Sequence, residues 1–403
     1  MTIETRAPAY EAEIRLILRV AMVLFIYTVA IGILNGLDLV TFDRRPLLAH
    51  LHIGTLGWIT MAVFAASLWL FAKPGEERPE IRWIARAAPA VAFLYNVAFL
   101  TTDGIARPIF GTLMLVIIVV FFLWAAARAR ETPLSVPHLG ILAGLATSVL
   151  GAVLGILNGV RLAQTDSSLP ETLGDAHPAT MVVGFLVPLG MAFAEWVMRP
   201  ASIEDRAARL GQLQIGLPFV GAIVLVIGIL IEADPLAALS LLFEVAGLAI
   251  FLWRLWPVAR HISWLQANTA RHGPPASLFL IVNIAILVYL ISNYIDDFEA
   301  APRRLALALD HSIFVGVLTN TILALLFTTL RTPRPEWVDH AVFWGVNIGA
   351  AGFILGLLAD VTPLLRVFTP LLGAAILLAI GVHLAEAVRE IRTGRPELAT
   401  PPA

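Results

Sequence analysis

The sequence predicts an all-α polytopic membrane protein of twelve transmembrane helices, and three observations carry that prediction. Hydrophobic residues make up 59% of the 403-residue chain and charged residues only 14%. A soluble fold of this length carries roughly a quarter charged residues, so lipid contact must replace the missing polar surface. The apolar residues gather in continuous stretches of about 20, the length a helix needs to cross the hydrocarbon core. These stretches do not alternate with period two, which excludes a β-barrel.

The first span, 14 to 35, follows a polar segment, Met1 to Glu13, which contains acids and lacks the pattern of a cleaved signal peptide. That span is expected to be retained. The others run approximately 47 to 72, 83 to 102, 108 to 129, 138 to 161, 177 to 198, 210 to 231, 236 to 257, 276 to 295, 309 to 330, 337 to 360 and 367 to 390. The longest connections, Arg161 to Ala176 and Arg260 to Pro274, leave no room for a soluble domain. Residues 1–403 therefore read as a single transmembrane domain.

Orientation follows from the basic residues. With the N-terminus inside, 20 of the 27 Lys and Arg fall on the inner side. The outer side keeps only Arg44, Arg45, Arg107, Arg161, Arg303, Arg304 and Arg366. Both termini are expected on the inner face of a bacterial cytoplasmic membrane. The 27 basic residues nearly balance 29 acidic ones, which gives no sign of nucleic-acid binding. The chain has no Cys, excluding disulfides, thiolate catalysis, Cys-ligated zinc and iron–sulfur clusters. A metal here rests on His, Met or carboxylate.

An internal repeat organises the spans. The first ends in Ile33-Leu34-Asn35-Gly36-Leu37, the fifth in Ile156-Leu157-Asn158-Gly159-Val160 and the ninth in Ile291-Ser292-Asn293-Tyr294-Ile295. Each is followed by a polar loop and a helix that opens with histidine: Ala49-His50-Leu51-His52, Ala176-His177 and Asp310-His311. Three parallel four-helix repeats, approximately 1–133, 134–260 and 261–403, account for the chain.

Glycine spacing sets the depth of these histidines. Gly57 lies seven residues after His50 and five after His52; Gly184 lies seven after His177, and Gly316 five after His311. His50 therefore matches His177 in depth, and His52 matches His311. Ionisable groups inside a span are costly without a task, and four in corresponding places read as ligands rather than headgroup contacts. Heme iron takes axial imidazoles from opposite faces of the porphyrin, hence from different helices. His50 and His52 are about 200° apart around their helix and cannot share one metal. They can serve two centres, with His52 and His311 expected as the axial pair of a b-type heme. His50 and His177 are then expected to hold a second heme or a copper ion. Arg44, Arg45, Arg303 and Arg304 precede the histidines on the arginine-poor side and are expected to meet heme propionates.

Twelve helices in three groups of four, with histidine on the second helix of each, resemble the plan of heme-copper oxidase subunit I. The stretch Ala49-His50-Leu51-His52-Ile53-Gly54-Thr55-Leu56-Gly57-Trp58-Ile59-Thr60-Met61 is similar to the His-x-His-x-Gly-x-Leu-Gly-Trp segment that carries heme ligands in cbb-type oxidases, where it lies on the tenth helix. The seventh span has no His to complete a copper site of that family, and the chain has only five Tyr. The sequence is also similar to the NnrS family of heme- and copper-containing proteins linked to nitric oxide stress. It shares their His-x-His start to the second helix and a tenth helix running from His311 through Gly316 to Arg331. It has Arg331-Thr332-Pro333-Arg334-Pro335 where that family carries Gly-His-Thr-Gly-Arg. These resemblances imply a membrane redox protein with heme b, handling electrons from an unidentified donor or a diatomic gas such as nitric oxide.

Other candidates are weaker. Glu244 reads as a proton relay or as a carboxyl hydrogen-bonded to a neighbouring helix. Glu195, His383 and Glu386 are expected to snorkel, and His138, His261, His272 and His340 to be solvated. Asp310 and Asp175 are candidates to orient the imidazoles of His311 and His177. The alternative class is a twelve-helix secondary transporter. Such proteins usually carry two inverted halves with polar residues at the midplane, which differs from three parallel repeats with polar groups near one face.

Overall fold

The computed structural model describes residues 9–295, 297–330 and 334–393. Arg331, Thr332 and Pro333 of the NnrS comparison lie outside the described residues, as do Arg6 and Arg395 of the basic-residue tally. Among the described residues, twelve helices are long and apolar enough to cross a membrane: α1 Glu11–Gly36, α2 Arg44–Phe71, α3 Pro79–Thr101, α4 Ala106–Ala129, α5 Val136–Ala163, α6 Leu173–Met198, α7 Arg209–Leu230, α8 Asp234–Ala259, α9 Thr269–Tyr294, α10 Arg303–Thr329, α11 Glu336–Ala359 and α12 Thr362–Arg392. No strand occurs among the described residues. This is the architecture of a polytopic membrane protein.

Two helices start before their apolar windows with first turns capped by polar side chains. Ser135 accepts from the backbone N–H of His138 at the start of α5, and Asn268 accepts from that of Arg271 at the start of α9. The loop expected from Arg260 to Pro274 is shortened accordingly.

Burial separates the helices into two sets. α2, α6 and α10 are the most enclosed, with 83%, 89% and 72% of their apolar windows inside the protein. Peripheral α8 has only 33% buried and shows Leu242, Trp253 and Trp256 to its surroundings. The peripheral helices pack largely in chain order, α1 on α3, α3 on α4, α4 on α5, α5 on α7, α7 on α8 and α8 on α9, and α12 closes back on α1. α10 packs against both α2 and α6 at the centre. Trp58 of α2, stacked on Phe25 at 4.5 Å, donates through Nε1 to Thr319 Oγ1 of α10 at 3.1 Å.

Each central helix carries a π-helical segment: Ile53–Thr60 in α2, Thr180–Leu186 in α6 and Ser312–Thr319 in α10. Such segments are uncommon and concentrate where a helix must re-aim side chains. Hydroxyls support two of them from within, Thr60 donating to the carbonyl of Thr55 and Thr319 to that of Phe314. His52 and His311 each stand immediately before a π segment, while His50 and His177 each stand three residues before one.

Candidate functional site

The four histidines lie at the opposite end of the bundle from the start of α1 and the end of α12. Each ring is half-buried and held by one nitrogen. Nδ1 of His50 meets the carbonyl of Thr28 at 2.9 Å, and that of His177 the carbonyl of Gly151 at 2.8 Å. Nδ1 of His52 meets the carbonyl of Leu48 at 2.8 Å, and that of His311 the carbonyl of Leu307 at 2.7 Å. A carbonyl only accepts, so Nδ1 carries the proton in all four and Nε2 keeps its lone pair. Among the described residues no protein group hydrogen-bonds these Nε2 atoms. The orienting acceptors are backbone carbonyls rather than Asp310 or Asp175, which corrects the sequence expectation: residues one or two positions before a histidine on the same helix point away from its ring.

The pairing also differs from the expectation. The rings of His52 and His177 have centroids 6.5 Å apart and planes within 15°. His50 instead has His311 as its electrostatic neighbour. The sequence matched His52 with His311 by depth, and the register before the π segments preserves that match. Lateral position overrides it, because equal depth does not make two helices face each other.

The surroundings of His52 were not visible in the sequence. Phe99 stacks on its ring at 3.8 Å, and Tyr95 meets it edge-on at 6.0 Å. Arg107 lies over the other aromatic partner, 4.7 Å from the Phe99 ring centroid. His177 lies flat on α5, where a side chain at Gly155 would come within 2.7 Å of its Cε1. The four-residue spacing of Gly151, Gly155 and Gly159 was the available signal, since small residues one turn apart admit close approach.

Two of the four predicted arginines are engaged by protein acceptors. Arg45 is paired with Asp103 at 2.5 Å, and Arg304 donates to the carbonyl of Leu358 at 2.8 Å and faces Asp360. Those two satisfy protein acceptors at helix ends. Arg44 and Arg303 are exposed.

No protein-family model matches the chain, and no curated protein matches its sequence.

Other expectations are revised by packing. His138 is buried with both nitrogens engaged, by Ser135 and by the carbonyl of Leu70, which makes it a structural residue. His272 is buried against Asn320 at 2.6 Å, and His340 accepts from Arg271. His261 is exposed as expected. His383 does not snorkel: it is buried, stacked on Phe327 at 5.3 Å. Glu195 is also buried, because α8 supplies Arg254, with Gln214 of α7 completing the cluster. Glu244 is fully buried, and neither carboxyl oxygen has a hydrogen-bond partner among the described residues, so the expected bond to a neighbouring helix is not made.

Proposed function

We propose that the protein is a heme-binding integral membrane redox protein of heme-copper oxidase-like architecture, with two b-type centres at His52/His177 and His50/His311. The observation that carries this reading is the His52/His177 pair. Two imidazoles bound trans to one metal through bonds of about 2 Å have ring centroids roughly 6 Å apart, close to the 6.5 Å observed. The donor chemistry fits as well: each Nε2 is unprotonated and uncommitted, and a backbone carbonyl orients each ring through Nδ1. Two imidazoles per centre match the two axial positions of a heme and are fewer than a tetragonal copper ion takes. The second centre is therefore read as a heme rather than copper. No Cys is present for covalent attachment.

The threefold repeat supports the same reading. In a cyclic arrangement the position just before one π segment faces the position three residues before the next. The first repeat's His52 then faces the second's His177, and the third's His311 faces the first's His50. The remaining combination is Ala179 with Leu309. Leu287, which stands eight residues after Phe279 at Gly316 as Gly32 stands eight after Leu24 at Gly57 and Gly155 eight after Thr147 at Gly184, is buried. Leucines fill that third slot where the other two have glycine beneath histidine, which accounts for two centres rather than three.

Bound iron would supply one-electron chemistry and, on opening of an axial position, capture of a gas such as nitric oxide. His52 with His177, and His50 with His311, would hold the group from both sides at each centre, which favours electron transfer as the resting role. The histidine end is read as the outer face, with both termini inside. The test is one reduced-minus-oxidised optical spectrum of the detergent-purified full chain. A b-type spectrum is expected, and colourless protein after expression with ample heme supply sinks the reading.

A further inference from the structure

We propose that the mouth of the His52/His177 centre is an anion site whose principal donor is Arg107, and that the anion is a carboxylate carried by the bound macrocycle. The inference rests on the two-heme reading and names the partner of a residue that no sequence pattern singled out.

Four groups stand in succession: the Arg107 guanidinium 4.7 Å from the centre of the Phe99 ring, Phe99 stacked at 3.8 Å on His52, and His52 6.5 Å from His177. The cation is thus held in register with the pair through an aromatic platform, within electrostatic range of His52 itself. Its terminal nitrogen donates to Asp103 at 2.7 Å and to the carbonyl of Phe99 at 3.1 Å. Its Nε is buried and has no acceptor. Asp103 is shared by Arg45 and Arg107, so two guanidinium groups divide one carboxylate. Asp103 is held below the ordinary carboxylate range first by its hydrogen bond to Arg45 and then, against desolvation, by the charge of Arg107. It is therefore ionised and fully used. The Arg107 guanidinium thus keeps a donor without an acceptor at the edge of the site, held by geometry that a flexible surface arginine lacks. A planar guanidinium in such a place selects a carboxylate, which it can meet with two hydrogen bonds.

The experiment titrates heme-depleted full-length protein with heme b and with its dimethyl ester, which has no carboxylate, in the wild type and in Arg107→Gln. Binding is followed by the Soret band and by quenching of tryptophan fluorescence. The wild type is expected to prefer heme b about tenfold, a typical worth for one charge-assisted contact, and Arg107→Gln to lose that preference while still binding the ester. If the preference survives in Arg107→Gln, or the wild type never discriminates between the two, the assignment of Arg107 is overturned while the two-heme reading stands. If added sodium propionate abolishes the difference between wild type and variant without competing with heme b, the anion is a free one and the cofactor-borne source is overturned. If neither macrocycle binds, both readings are overturned together.

Discussion

His52 and His177, 125 positions apart in the chain, bring their imidazole planes to within 15° of parallel at a centroid separation of 6.5 Å. One comes from α2 and the other from α6, and each is oriented by a backbone carbonyl on Nδ1.

If these two residues share one centre, the losses caused by their substitution must coincide. His52→Ala and His177→Ala are each expected to remove one heme, and the double variant no more than one. His50→Ala and His311→Ala should remove the other. Hemochrome assay of the purified variants decides this. Loss of both hemes from His52→Ala plus His177→Ala would restore the depth-matched pairing instead.

Glycine substitution distinguishes the two proposed centres without altering a proposed ligand. A Cβ at Gly155 would lie 2.7 Å from Cε1 and 2.8 Å from Nδ1 of His177, whereas one at Gly32 would lie 3.5 Å from Cε1 of His50. The first is a steric conflict and the second ordinary contact. Gly155→Ala is expected to cost about 1–3 kcal/mol of stability and to alter the optical signature of one heme. Gly32→Ala should leave both signatures as they are.

Glu195 and Glu244 are both buried carboxylates with opposite expected behaviour. Glu195 meets Arg254 at 2.7 Å with Gln214 alongside. Glu195→Ala leaves that half-buried guanidinium without its carboxylate, with only Gln214 as acceptor, and is expected to cost about 1–3 kcal/mol. Glu244 has no partner for either oxygen. Glu244→Met, nearly equal in shape, removes an unsatisfied group and is expected to stabilise by about 1–3 kcal/mol. Thermal unfolding in detergent measures both, and equal destabilisation by the two substitutions would show that Glu244 has an unrecognised partner.

The acid limb of stability is expected to depend on Glu76, in the loop before α3. Burial works against its charge, yet hydrogen bonds from Arg128, from the backbone N–H of Lys73 and from the Trp124 indole hold the carboxyl below its ordinary 4.5. A depressed carboxyl contributes stability that is present above its unfolded value and lost as pH falls through the folded one. The contribution is therefore complete at neutral pH and disappears below about 4.5. Glu76→Gln should lower the melting temperature at pH 7 and converge on the wild type at acidic pH, as melting curves across that range would record. A constant gap at every pH would contradict it.

The sequence by itself determined the twelve helices, because the apolar residues of a membrane span are consecutive and their number is set by the bilayer. It also marked the second, sixth and tenth helices, since each opens with histidine after a helix that ends in the repeated Asn. Depth along a helix was legible too, because rise per residue is fixed: His50 and His177 stand in one register relative to the π segments, His52 and His311 in the other. Which histidine faces which was a matter for the tertiary structure alone. Lateral arrangement depends on how helices pack around a centre, and no local spacing encodes it. The same is true of Arg107, which reaches His52 only through Phe99 on another helix. It applies as well to Glu195, whose burial was decided by an arginine 59 residues away. Composition and periodicity act along the chain, whereas pairing, charge balance and burial are settled between helices.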